Sequence, residues 1–330
     1  VIASRDAPMR AMHVALVGFG TVGRGTWDVL RRNEEEITRR AGRPIRITWI
    51  GTRSLERARQ GMRGMTGVQI SDDPGAVVRH ADVDIVCELI GGIEPARSLI
   101  LDAIAHGKHI VTANKALLAQ HGNEIFAAAH AKGVMVAFEG AVAGGVPIIK
   151  ALREGLTANR IEWIAGIING TSNFILSTMR ETGGSFASAL AQAQARGYAE
   201  ADPTFDVEGT DAAHKLTIMS AIAFGVPMQF DKAYAEGITQ LTREDLRYAE
   251  ELGYRIKLLG ITRRARNGIE LRVHPTLIPA KRLIANVEGA MNAVLVKGDA
   301  VGSTLYYGAG AGAEPTASAV IADLVDVTRM

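Results

Sequence analysis

The sequence predicts an α/β chain in two parts. Residues 12–148 form an N-terminal Rossmann-like parallel sheet, completed by a C-terminal helix within 308–330; residues 149–307 form a second α+β domain carrying a mixed sheet. Three observations predict this. Apolar strand-like runs alternate with amphipathic helical stretches from His13 to about Ile148. The first of these runs leads at once into Gly18-Phe19-Gly20-Thr21-Val22-Gly23 and then a helical pattern through Leu30. Beyond Ile148 the alternation stops, and β-runs paired across short turns take over.

With 330 residues, of which 47% are hydrophobic, the chain has the size for two domains and a substantial core. The net charge of +2 is nearly balanced, so no nucleic-acid partner is expected. The basic cluster Arg31, Arg32, Arg39, Arg40 and Arg43 is interleaved with Glu34 to Glu36, as on a solvated helix face. Neither a signal peptide nor an apolar run of about eighteen residues is present, which excludes a membrane partner of the helical kind. The lone cysteine, Cys87, cannot form an internal disulfide, and a reducing, cytoplasmic compartment follows. Residues 1 to about 10 read as a ragged start, with Met9 or Met12 the natural first residue.

In the first part, His13 to Val17 is a short strand. The glycine run after it has a physical logic: the first glycine permits a tight turn, the second lets a pyrophosphate approach the backbone, and the third lets helix and strand pack closely. Ile45 to Gly51 is the second strand. Where an NAD enzyme carries an acid for the ribose hydroxyls, this chain has Thr52-Arg53-Ser54, which suits a 2′-phosphate, so NADP is expected to be preferred, with NAD as the lesser alternative. Arg53 could otherwise be an ordinary surface residue. Val83 to Ile90 is a buried parallel strand ending in Gly91-Gly92. Ser98 to His106 is a helix and His109 to Val111 a strand, with Thr112-Ala113-Asn114-Lys115 at its carboxyl end, where open parallel sheets bind ligands. Lys115 is therefore placed for chemistry, or else it is a helix-start lysine in solvent. Glu124 to Lys132 is a helix and Val134 to Phe138 a strand, leading into the glycine-rich loop Glu139 to Pro147. That loop could offer carbonyls to a hard cation, but on its residues alone a close turn is the better reading.

In the second part, Arg160 to Ile168 is a strand entering Asn169-Gly170-Thr171-Ser172-Asn173, with a helix from Phe174 through Arg180. Thr171 either orients a polar substrate or caps the helix. Phe186 to Arg196 is an Ala-rich helix that Gly197 can end. The acidic linker Tyr198 to Gly209 carries Glu200, Asp202-Pro203 and Asp206, and a helix begins near Thr210 and continues through the apolar run Leu216 to Phe224. On it Asp211 and Lys215 project side by side. Thr242 to Leu252 is a charged helix. Arg255 to Thr262 and Glu270 to Pro275 form a hairpin through Asn267-Gly268, and Ala293 to Lys297 with Ser303 to Tyr307 form another around Gly298-Asp299. After Gly308 to Gly312 and Pro315, the helix Thr316 to Val327 returns to the nucleotide domain.

Taken together, Ala193 to Gly197, Tyr198, Glu200, Asp202-Pro203, Asp206, Gly209, Asp211 and Lys215 resemble the signature of homoserine dehydrogenases, and the resemblance extends over nearly the whole chain from about residue 12. It implies reversible NAD(P)-dependent reduction of L-aspartate 4-semialdehyde to L-homoserine, in threonine, methionine and isoleucine biosynthesis. Thr112 to Lys115 resembles the family motif whose lysine contacts substrate and cofactor. The resemblance further implies cofactor contacts at Gly197 and Gly312, substrate contacts at Tyr198 and Thr171, and a structural sodium ion on main-chain atoms of Glu139, Val142, Gly144 and Val146. It also implies a homodimer or dimer of dimers built on the mixed sheet, in a short form without a C-terminal regulatory module.

Reducing an aldehyde needs a hydride at carbon and a proton donor at oxygen. Lys215 is the first choice of donor and Lys115 its rival, and two converging cations would lower each other's pKa. Asp211 and Glu200 are expected to hold the substrate's ammonium and hydroxyl groups, with Asp206 ordering the lysines. Scattered histidines and one cysteine give no zinc pattern, and His214 is expected to be structural. Two other readings stand beside this one: another NADP-dependent oxidoreductase of amino-acid biosynthesis, and a nucleotide-sensing protein without catalysis.

Overall fold

The computed structural model describes residues 9–62 and 66–330, so the ragged start expected at residues 1 to about 10 falls largely outside the described residues. The chain divides into two compact units, one holding everything up to Ala141 together with Gly312–Met330, the other Val142–Ala311.

The first unit is built on β1 (Met12–Val17), β2 (Ile45–Gly51), β3 (Gln69–Ser71), β4 (Ile85–Glu88), β5 (His109–Thr112) and β6 (Val136–Ala137). Their order is β3-β2-β1-β4-β5-β6 and each pairing is parallel. This is the expected doubly wound sheet, with its switch point between β1 and β4. Helices α1 (Thr21–Arg32), α2 (Glu34–Ala41), α3 (Leu55–Gly61), α4 (Pro74–Arg79), α5 (Ala96–Ala105) and α6 (Lys115–Lys132), with the C-terminal helix Ala313–Arg329, surround it. Alternate residues of β1 serve opposite faces. Val14 and Leu16 pack with Trp27, Leu30, Val320 and Leu324, whereas Ala15 and Val17 pack with Ile100, Ile104 and Leu117. Covering both faces is why the strands are apolar almost without interruption. Cys87 lies inside this core, and burial pushes its thiol pKa up, which makes it unreactive.

Several boundaries differ from those the sequence predicts. α6 begins at Lys115 instead of Glu124, because Asn114 accepts the Leu117 N–H at 3.1 Å and caps it. β4 stops at Glu88, since the carboxylate of Glu88 takes the N–H groups of Ile90 and Gly91 into a turn. β6 is shorter than Val134 to Phe138. β3, α3 and α4 were not anticipated, although α4 carries a legible start: Asp73 accepts the Ala76 N–H at 3.0 Å and Pro74 occupies the first turn.

The second unit is built on β7 (Ile161–Ile167), β8 (Tyr234–Ala235), β9 (Tyr254–Ala265), β10 (Gly268–Pro279), β11 (Met291–Gly298) and β12 (Gly302–Ala309), in the order β12-β11-β7-β9-β10-β8. The sheet is mixed because β8, which the sequence reading did not mark, runs parallel to β10 while the other pairings are antiparallel. The β9–β10 hairpin turns through Arg266 and Asn267 instead of Asn267-Gly268. Neither turn residue takes a positive φ, and Gly268, with φ 145°, begins the returning strand.

The helices of this unit are α7 (Ile148–Lys150), which runs into a π-helical turn at Ala151–Gly155, then α8 (Gly170–Thr182), α9 (Phe186–Ala195), α10 (Thr204–Val207), α11 (Thr210–Phe224) and α12 (Arg243–Glu251). α8 starts at Gly170, not Phe174, because Asn169 Oδ1 accepts the Ser172 N–H at 2.7 Å. Directly paired residues share a face of the sheet. The row Val296, Ile164 and Thr262 is fully buried, and Thr262 Oγ1 lies 2.9 Å from Ser220 Oγ of α11, so helices cover this side. The adjacent row Leu305, Leu295, Ala165 and Ile261 lies on the opposite side and is half-buried. Lys257 on β9 is 2% exposed and donates to Val287 O at 2.6 Å, Asn173 Oδ1 at 3.1 Å and Glu288 Oε2 at 3.2 Å, tying α8 to the sheet; burial lowers its pKa.

The division between the units falls a few residues before Ile148 for a local reason. The Gly145 N–H bonds Ala309 O at 2.9 Å, and Gly144, with φ 45°, is pressed on the carbonyl of Gly310. The Val142–Val146 loop therefore packs with the end of β12.

Candidate active site

In the first unit the carboxyl ends of the strands gather the residues predicted for the dinucleotide. Gly18 takes φ 101°, and a Cβ there would lie 2.7 Å from Leu89 O. A methyl group on Gly23 would collide with the carbonyl of Gly18. Gly20, in contrast, faces open space, with nothing within 4 Å of where its Cβ would be. The first glycine thus makes the tight turn, the third permits the close packing, and the second leaves its side of the turn open. Gly20 is also the N-cap of α1; no side chain caps that helix and no acid sits in its first turn, which leaves its N–H groups to an anion. These residues fit a dinucleotide phosphate. Phe19 is buried, Val22 half-buried and Thr21 exposed.

Thr52 follows β2 with its N–H on Ser71 O at 2.9 Å, and its hydroxyl accepts the Ser54 N–H at 3.2 Å; Arg53 between them is exposed. Lys115 is half-buried at the first position of α6. Gly312, with φ 131°, is the N-cap of the C-terminal helix, whose next residue, Ala313, is in close contact with Gly25 of α1. Glu139 begins a short 3-10 helix, is 1% exposed, and gives its N–H to Asp323 Oδ2 at 2.7 Å.

In the second unit Thr171, Asp206, Asp211 and Lys215, but not Glu200, lie around the starts of α8 and α11. Lys215 Nζ donates to Asp211 Oδ2 at 2.5 Å and to Ile168 O, just past β7, at 2.8 Å. Both side chains are almost wholly buried. Asn169 bridges the two acids, giving its Nδ2 hydrogens to Asp206 Oδ1 at 2.7 Å and Asp211 Oδ2 at 2.9 Å. Ser172 Oγ donates to Asp206 O at 3.0 Å. Thr171 Oγ1 donates to Tyr198 O at 2.6 Å, and the Tyr198 ring lies 5.0 Å from that of Phe174. Gly197 takes φ 73° at the end of α9.

The linker's acids therefore separate. Asp206, Asp211 and Lys215 are drawn together through Asn169, whereas Glu200 and Asp202 are exposed, Asp202 holding the Thr204 N–H and hydroxyl at the head of α10. His214 is buried between the rings of Phe205 and Phe230, with centroids 5.4 and 4.2 Å away. Val142 and Val146 are buried in the glycine-rich loop, where Ala143 and Gly144 both take positive φ. Two residues escaped the sequence reading. Asn169 looked like a helix cap, and Glu88 was absorbed into an apolar strand, although a carboxylate inside such a strand is itself a signal.

Among the described residues no helix is long and apolar enough to cross a membrane. The family model described as homoserine dehydrogenase matches residues 147–325, and that described as homoserine dehydrogenase, NAD binding domain, matches residues 18–139. A homoserine dehydrogenase of Pseudomonas aeruginosa is 65% identical over 322 residues, spanning 97% of this chain and 73% of that protein. One from Neisseria gonorrhoeae is 63% identical over 322 residues, spanning 98% and 73%. The crystal structure of a homoserine dehydrogenase from Thiobacillus denitrificans superposes with a TM-score of 0.95 at 73% identity, over 98% of this chain and 74% of that one. A hyperthermophilic archaeal homoserine dehydrogenase in complex with NADPH shares the fold, with a TM-score of 0.82 at 24% identity over 97% of this chain and 98% of that one. The chain belongs to the homoserine dehydrogenase family, NAD(P)-dependent oxidoreductases that interconvert L-homoserine and L-aspartate 4-semialdehyde.

Proposed function

We propose that in this homoserine dehydrogenase Lys215 donates the proton to the aldehyde oxygen during reduction and takes it back during oxidation. The carrying observation is the cluster in which Asn169 joins Asp206 and Asp211, and Asp211 holds Lys215. When bound, the nicotinamide supplies the hydride at carbon. Oxygen then gains negative charge, and an ammonium whose direction is already set by Asp211 and the Ile168 carbonyl meets that charge without reorganising. The carboxylates of Asp206 and Asp211 suit the α-ammonium of an amino-acid substrate, with exposed Glu200 adding to the same field. Thr171, by holding the Tyr198 carbonyl, keeps the Gly197–Tyr198 turn against α8 and shapes the substrate site. Lys115 is assigned to cofactor and substrate contact, next in line for the proton. The first unit serves as the dinucleotide domain, with Gly18 to Gly23, Arg53 and Gly312 around the cofactor, and the second as the substrate and dimerisation domain.

Three finer assignments accompany this. Arg53, beyond β2 where no acid stands, reads a 2′-phosphate, so NADP is preferred over NAD. The main-chain oxygens of Glu139, Val142, Gly144 and Val146 take a structural sodium ion; oxygen donors are the right class for a hard cation. The half-buried row Leu305, Leu295, Ala165 and Ile261 belongs to a homodimer contact, because α11 covers the other side of the sheet and this row, although it packs beside the cluster of Ile167, Ala293, Ile284 and Ala285, is left half-buried.

Replacing Lys215 by Ala should lower kcat by about 10² to 10⁴-fold, the usual range for a lost general acid, with cofactor affinity little changed. Lys115→Ala should also lose turnover; steady-state kinetics in both directions will show whether either variant keeps near-normal kcat, which would demote that lysine to a binding role. Arg53→Ala should reduce the ratio of kcat/KM for NADPH over NADH by roughly tenfold, and an unchanged ratio removes Arg53 from the site. Exchanging sodium for a bulky organic cation should lower the melting temperature, by an amount that saturates on sodium titration; a flat titration would dismiss the ion. Sedimentation of Leu295→Arg should show dissociation toward monomer, since a buried interfacial charge costs several kcal/mol; an unaltered oligomer places the contact elsewhere.

A further inference from the structure

Glu88, the last residue of β4, carries a carboxylate inside the first unit with 0% exposure. Its Oε1 accepts the N–H groups of Ile90 at 2.8 Å and Gly91 at 3.2 Å, and its Oε2 accepts the hydroxyl of Thr112 at 2.8 Å. In that last bond the Thr112 hydroxyl is the donor. The Thr112 oxygen is left to accept, and it takes the Asn114 N–H at 3.0 Å. Asn114 closes the ring: its Nδ2 donates to Gly92 O at 2.7 Å, and its Oδ1 accepts the Leu117 N–H at 3.1 Å, starting α6. Thr112 and Asn114 are 0% and 6% exposed.

This ring joins the turn after β4 to the turn after β5, and the residue at which it ends is Lys115. On its other side the turn after β4 meets the glycine turn. The Leu89 N–H bonds Val17 O at 2.8 Å, and the backbone of Leu89 and Ile90 lies where any Cβ on Gly18 would have to go, at 2.7 and 2.9 Å. Burying a carboxylate carries a desolvation cost that its hydrogen bonds only offset, whereas an apolar residue like its neighbours Val86 and Cys87 would fill the strand without that cost. What the carboxylate adds is direction.

We infer that Glu88 is a positioning residue for the reaction, which acts through Thr112 and Asn114 to set how Lys115 leaves the first turn of α6 with respect to the glycine turn. The inference rests on the reading of Lys115 as a residue that contacts cofactor and substrate. Three variants separate the parts. Thr112→Val removes the hydroxyl at nearly constant volume, Thr112→Ser keeps it, and Asn114→Asp keeps the helix cap but loses the donor to Gly92. Each is made in the wild-type and in the Lys115→Ala background, with thermal melting to confirm folding; Asn114→Asp carries the comparison where Thr112→Val does not fold.

In the wild-type background Thr112→Val and Asn114→Asp should lower kcat by about tenfold or more, and Thr112→Ser should stay within about threefold. In the Lys115→Ala background the further loss should be less than about twofold, because residues that act through one another are not additive. Near-normal kcat in Thr112→Val and Asn114→Asp, or an equal loss in both backgrounds, overturns the inference and leaves the ring a structural element. Normal turnover of Lys115→Ala alone overturns the reading of Lys115 first, and the inference with it.

Discussion

A buried ammonium group must be paired, and in this chain the pairing of Lys215 organises the second unit. The desolvation cost of both charges is met by the contact with Asp211 one helical turn earlier and by the carbonyl of Ile168 beyond β7. Because one partner is on the same helix and the other at the end of a strand, α11 cannot rotate or slide relative to the sheet without stranding a charge. Asn169, the residue after Ile168, spends its amide on Asp206 and Asp211, so the acidic linker is fixed by the same few bonds. The site's rigidity is thus a consequence of electrostatic accounting in a dry place, not of the linker's own conformation.

The cofactor half depends on a different constraint, the close approach of backbone to backbone. Gly18 and Gly23 are there because no side chain fits, and Gly20 leaves the space beside the turn open. Around them the ends of β1, β4 and β5 are coupled through main-chain bonds and the Glu88 ring, so the glycine turn and the lysine-bearing turn are parts of one hydrogen-bonded assembly. Both halves therefore use a buried acid to hold a lysine, Asp211 directly and Glu88 through two intermediaries.

Membership of the homoserine dehydrogenase family rests on relatives of high identity over nearly the whole chain, and it answers the two competing readings that the sequence left open. Where the motifs were misread, the misreading was of extent: α6 and α8 begin earlier than their apolar periodicity suggests, because Asn114 and Asn169 cap them ahead of the first hydrophobic position.

The parallel sheet, the glycine turn and the Asp211–Lys215 pair were legible because each depends on neighbours within a few residues: alternation along a strand, three glycines at a short spacing, one turn of helix. Asn169's bonds to Asp206 and Asp211 were not, since they join positions 37 and 42 residues apart and an asparagine at a strand-to-helix turn is equally well explained as a cap. The same holds for Glu88 and Thr112, 24 residues apart, and for the pairing of the two-residue β8 with β10. A sequence determines what each residue can donate, accept or bury, together with what its near neighbours must do in consequence. Which distant partner receives a hydrogen bond is decided by the tertiary fold, because burial turns an unmade bond from a negligible loss into one of about 1 to 3 kcal/mol and so selects the arrangement in which those groups meet.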